Sequence, residues 1–116
     1  MSKNNKILTK TVEHILNLKE MTRLYQLHLL NDFEHINKNT ICIISALETL
    51  DTCDLVMTFI INRSPNTKIG ITLLNKCCDT LKKQCINKNH DSVCKKEIRA
   101  INNTQDHLVK LSKLIK

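Results

Sequence analysis

Ile71-Thr-Leu-Leu-Asn-Lys-Cys-Cys-Asp-Thr-Leu-Lys-Lys-Gln-Cys85 is the stretch that decides the fold. Its Ile71, Leu74, Cys78, Leu81 and Cys85 advance by alternating steps of three and four residues. That is one apolar stripe on an α-helix, an a/d seam that packs against other helices. Lys82 falls off the stripe and is expected on the solvent face. Upstream, Ser64-Pro65 reads as the start of this third helix. The hydroxyl can cap the first free amides, and proline at the first helical position loses only an N–H that has no partner there. Gly70, in the early turns, costs about 1 kcal/mol against alanine, which a helix tolerates.

The same period extends in both directions. Downstream, the polar cluster at 87–91 is a turn, with Asp91 or Ser92 as the cap of a fourth helix along Cys94, Ile98, Ile101, Gln105, Leu108 and Leu111. Lys110, Lys113 and Lys116 suit the negative end of its dipole. Upstream, Cys42, Ala46, Thr49, Cys53, Val56 and Ile60 form the stripe of a second helix, capped by Asn39 or Thr40 and ending near Asn62. A first helix is predicted over 8–33, with Leu8, Val12, Ile15, Leu18, Met21, Tyr25 and Leu29 on one face. Four helices joined by short loops predict an all-α, antiparallel up-down-up-down four-helix bundle, a single domain over 1–116. The competing architecture is a helical hairpin pair that completes its core only as a dimer, a homo-oligomer.

Composition agrees with helices. Glycine and proline occur once each, and only two Phe and one Tyr are present, too few for the turns and strands of an all-β fold. Eighteen Lys and Arg against eleven Asp and Glu give a formal charge of +7. That balance attracts polyanions in general. The charges are spread along the chain and aromatic stacking groups are nearly absent, so a nucleic-acid partner is not favoured. No apolar run approaches a membrane span, and no leader pattern follows the basic N-terminal residues. The expected compartment is the cytoplasm. No phosphate loop, zinc-protease motif or nucleophile elbow is present, and a Cys85/His90 nucleophilic pair has only sequence proximity behind it, so the chain reads as non-enzymatic.

Six cysteines remain to be explained. Cys42 and Cys53 are three turns apart and Cys78 and Cys85 two turns apart, so each pair lies within ~20° around its helix. All four fall on stripes that aliphatic residues mark as buried, and Cys94 opens the inner stripe of the fourth helix. Cys77 lies ~100° off the seam, toward a neighbouring helix or the rim. Such cysteines are small core residues, metal ligands or, in an oxidising compartment, disulfides. Soft thiolates converging inside a dry bundle suit Cu(I), and less specifically Zn(II). The bundle geometry favours two inter-helix pairs, Cys53/Cys78 and Cys85/Cys94; His90 in the adjoining turn reads first as a solvated turn histidine and second as an additional donor. His14, His28, His35 and His107 read as surface residues, and Met21 and Met57 as core filler.

Over residues 40–111 the chain resembles the four-helix-bundle copper storage proteins and their small cysteine-rich relatives. Cys42-Ile43, Thr52-Cys53-Asp54 and Asn62-Arg63-Ser64 look like that family's second helix and its Arg-Gly-Ser loop. Cys78, Cys85, Asn89-His90-Asp91 and Cys94-Lys95-Lys96 look like its third-to-fourth helix junction. The resemblance implies Cu(I) held between inward-facing thiolates. Where the family pattern places further cysteines, this chain has Thr49, Ile71, Leu74, Leu81, Glu97, Ile101, Thr104 and Leu108, and its first helix has none. The implied capacity is therefore a few Cu(I) ions at most, through Cys42, Cys53, Cys78, Cys85 and Cys94, with Cys77 and His90 as additional candidates. The alternative is a scaffold bundle that binds a protein partner and keeps the fold without metal.

Overall fold

The computed structural model describes residues 2–86 and 91–115. Among them four helices follow in order: α1 over Lys3–Leu30, α2 over Ile36–Ile61, α3 over Thr67–Ile86 and α4 over Ser92–Leu114. A single 3-10 turn, Phe33–His35, links α1 to α2. His90 lies outside the described residues.

Cross-helix hydrogen bonds give the topology. Thr11 reaches the His107 carbonyl, Thr104 reaches the His14 carbonyl, and Thr22 bonds Glu97. Numbers rise on α1 as they fall on α4, so the two are antiparallel. The pairings Lys19–Asp54 and Asn39–Leu29 show the same for α1 and α2. Gln84–Ser45 and Thr52–Cys77 do so for α2 and α3, and Gln105–Asp79 joins α3 to α4. The four helices close into an antiparallel bundle with extents of 50 × 22 × 18 Å, a rod one helix long and two helices wide.

Caps explain where the helices begin and end. α1 starts five residues before the predicted position because the Ser2 hydroxyl accepts from Asn5 N at 3.2 Å, a polar N-terminal turn that apolar periodicity cannot register. It stops at Leu30, leaving Phe33 outside the helix and exposed. α2 also starts early, at Ile36. Asn39 is not its cap: it is buried inside α2 and its amide donates to the Leu29 carbonyl, tying the two helix ends together. Thr40 sits on the exposed side of α2. The α3 start falls two residues after Pro65, although Ser64 does accept from Asn66 N at 3.0 Å. Asp91 caps α4 through Val93 N at 3.0 Å.

The α2–α3 junction holds the strained backbone. Arg63 has a φ of 52°, the left-handed region that glycine occupies at no steric cost. Ser64 N donates back to the Phe59 carbonyl and Arg63 N to the Ile60 carbonyl, the paired bonds of a Schellman ending. Arg63→Gly is therefore expected to stabilise the protein by about 0.5–1 kcal/mol, relief of the left-handed penalty minus glycine's extra unfolded-state entropy. Urea denaturation of the pair measures it, and a loss of stability would mean that the arginine side chain matters more than its backbone. Just beyond, Gly70 is the close approach of α3 to α2. A Cβ there would stand 2.9 Å from Phe59 Cδ2.

The predicted seams of α2 and α3 are buried at every position. On α1 and α4 the buried stripe is rotated from the predicted one. Thr11, Thr22, Glu97, Ala100 and Thr104 are inside, while Leu8, Val12, Met21, Ile98 and Gln105 flank the core. Threonine suits such positions because its hydroxyl bonds within the helix. Thr11 donates to the Ile7 carbonyl at 2.7 Å and Thr104 to the Ala100 carbonyl at 2.8 Å, leaving a methyl to pack.

Candidate functional site

The antiparallel register gathers the cysteines into two layers in one half of the bundle. Near the end where α3 leads toward α4, Cys85 and Cys94 lie within hydrogen-bonding reach of each other. The Tyr25 hydroxyl lies beside Cys85 and Cys42 in the same layer. That hydroxyl is buried and meets no partner at full hydrogen-bond geometry, so its contacts with sulfur are weak polar ones. Two turns further in, Cys53 of α2 and Cys78 and Cys77 of α3 are near enough for their charges to interact. Cys77, half-buried, faces α2, its sulfur 3.6 Å from Thr52 Oγ1. The other half of the bundle, around Ile15, Leu74, Leu108 and Leu111, is aliphatic.

All six cysteines are outside disulfides, and Cys42, Cys53, Cys78, Cys85 and Cys94 are buried. Burial pushes the Cys53 thiol up to about 12, with the Asp54 carboxylate adding to it. Cys85 is likewise pushed up to about 12, by burial first and Cys94 second. Cys78 rises for the same reason, with Cys53 as its second cause. Neutral, dry thiols of this kind are poor nucleophiles, which disfavours thiol catalysis. A soft metal ion binding them has to displace their protons. Among the described residues no group of three or more His, Cys, Asp or Glu side chains is arranged to hold one ion. A zinc site of four ligands is not assembled among the described residues.

Glu97 is the residue that sequence reading placed on a cysteine position without giving it a role. It is fully buried, one carboxyl oxygen accepting from Thr22 Oγ1 at 2.6 Å and the other without a partner. Burial raises its pKa to about 7, against a smaller lowering by Thr22. In the folded state it holds its proton to higher pH than in the unfolded chain, so stability is greatest below about 4.5 and is lost as pH rises through about 7. That difference corresponds to roughly 3 kcal/mol. Glu97→Gln is expected to flatten the pH dependence of urea unfolding between pH 5 and 8, measured on metal-free protein. An unchanged slope would place the titrating group elsewhere.

Thr49, Ile71, Leu74, Leu81, Glu97, Ile101, Thr104 and Leu108 are all buried. His28 is exposed, as expected of a surface residue, while His14 and His107 are half-buried. His14 and His107 are not independent surface residues; their rings stack with centroids 4.0 Å apart, bridging α1 and α4. His28 Nε2 lies 2.5 Å from the Asp91 carboxylate, tying the end of α1 to the cap of α4. No helix of the described residues is long and apolar enough to cross a membrane. No family model, curated protein or solved structure matches the chain.

Proposed function

We propose that this bundle is a low-capacity Cu(I)-binding protein, holding one ion between Cys53 and Cys78 and another between Cys85 and Cys94, with Cys42 beside the second. The observation that supports this reading is the nearness of buried thiols from different helices, Cys78 to Cys53 and Cys85 to Cys94. Thiolate is the soft donor that selects Cu(I), and Cu(I), unlike Zn(II), is satisfied by two of them. Burial excludes water and oxidants from the ion, and the threonines and aliphatic residues at the neighbouring inner positions limit the number of sites. Cys77, adjoining the Cys53/Cys78 pair, is an outlying donor. The test is an anaerobic Cu(I) titration of reduced protein against a chromophoric competitor, with thiols counted on the same sample. About two tightly held ions per chain are expected from two thiol pairs.

A second reading, a scaffold bundle, draws on the outer surface of α2. Ile41, Ile44 and Leu55 recur at helical spacing there and are exposed, as are Leu16 and Leu27 on α1. Apolar residues on an outer helix face suit a protein partner or self-association. Light scattering on reduced, metal-free protein tests the self-associating form: a monomer over a wide concentration range speaks against it.

A further inference from the structure

At the end of the bundle opposite the thiols, α1 begins beside the end of α4, and the two leave a groove of about 500 Å³. Lys3, Lys6 and Lys10 line it from α1, Lys110 and His107 from α4, with Ile7 on its floor. Four lysines and no carboxylate are among the residues that line this open surface. Glu13 stands outside the lining and pairs with Lys10 at 3.5 Å, both side chains well exposed. His107, one of the lining residues, stacks on His14 of α1. His107 Nδ1 lies 2.9 Å from the Asn103 carbonyl, so Nδ1 is the protonated nitrogen and donates to it. The volume is that of a small-ligand site, and four lysines on one side of a bundle attract polyanions.

We propose that this groove binds a condensed-phosphate chain, a linear run of phosphate groups recognised by charge alone. Lys3, Lys6 and Lys10 follow one another along α1 over about 10.5 Å, a length that a short phosphate chain spans. Lysine binds phosphate as a point charge and needs no fixed fork. A nucleic acid would add bases, and the groove has no aromatic side chain to stack on them. An acidic peptide would need apolar anchor pockets to bind well, and Ile7 is the one aliphatic side chain in the lining. The groove and the thiol layers occupy different halves of the bundle, so this inference stands apart from the copper reading.

The test uses the full chain, reduced and metal-free, with linear inorganic polyphosphate and a uridine homopolymer of the same number of phosphates as probes. Calorimetric titration at low salt should show polyphosphate binding, weakened steeply by added salt. Lys6→Glu with Lys110→Glu should weaken it by about tenfold or more. Lys76→Glu with Lys83→Glu, exposed sites on α3 with the same loss of net charge, should change it by less than about threefold. Lys3→Gln with Lys6→Gln is the milder variant should the charge reversal disturb folding, and it too should weaken binding more than the α3 pair. Equal weakening by the α1/α4 and α3 pairs would overturn the proposal, because net charge alone would then explain binding. So would the absence of polyphosphate binding, or tighter binding of the uridine polymer, which would make the groove a nucleic-acid surface.

Discussion

Leu74→Ala and Leu81→Ala are each expected to lower the free energy of unfolding by about 2–5 kcal/mol, the transfer loss of the deleted atoms plus the cavity left behind. Both side chains are fully buried on the α3 seam. A domain of this size has about 5–15 kcal/mol in all, so the larger losses bring the variants close to unfolding at physiological temperature. The control is Lys83→Ala on the exposed side of α3, expected to stay within roughly 0.5 kcal/mol. Lys82 is a poorer control than its sequence position suggests, because it is half-buried and its stem covers apolar surface. Urea denaturation with an unchanged m-value is the measurement. Equal tolerance at Leu74, Leu81 and Lys83 would mean that α3 packs on another face.

These two residues were legible in the sequence for the same reason that they matter. On α2 and α3 the predicted stripe is Ile, Leu, Val, Ala or Cys at every position except Thr49, and all of it is buried, so hydrophobic period and burial coincide there. On α1 and α4 they part company. Thr11, Thr22, Thr104 and Glu97 are inside because hydroxyls bond to carbonyls of their own helix or, at Thr22, to the Glu97 carboxyl. A reading by hydropathy passes over them and selects the flanking Leu8, Val12, Met21 and Ile98. Helix starts were misplaced where polar turns begin them, as at Ser2, or where a polar residue is buried mid-helix, as at Asn39. That Cys53 comes near Cys78 and Cys85 near Cys94 follows from antiparallel order and short loops alone. Tyr25 in the Cys85 layer, the Thr22–Glu97 bond and the His14–His107 stack do not. Each needs the register of α1 against its neighbours, and no pattern within a single helix contains that.

The proposed thiol pairs imply a specific pattern of loss. Cys78 and Cys85 are two turns apart, about 10.5 Å along α3, so a single ion cannot be shared by these two alone and each needs its partner on another helix. Cys53→Ser is therefore expected to remove about half of the tightly bound Cu(I), and Cys94→Ser the other half. Cys77→Ser should leave both largely intact, since its sulfur points to Thr52 and lies outside the two pairs. The protonation state adds a second readout. The Cys53 and Cys85 thiols, pushed up to about 12 by burial, are neutral throughout the working range. Each ion that takes up two thiols displaces two protons, so affinity should fall by about a hundredfold for each pH unit lowered between 8 and 6. A surface or adventitious site would show a much shallower dependence. Wild-type protein that binds Cu(I) no more tightly than a cysteine-free variant would end the copper reading. Recovery of the same two pairs as disulfides from freshly alkylated protein would assign the cysteines a structural role and leave the scaffold reading in its place.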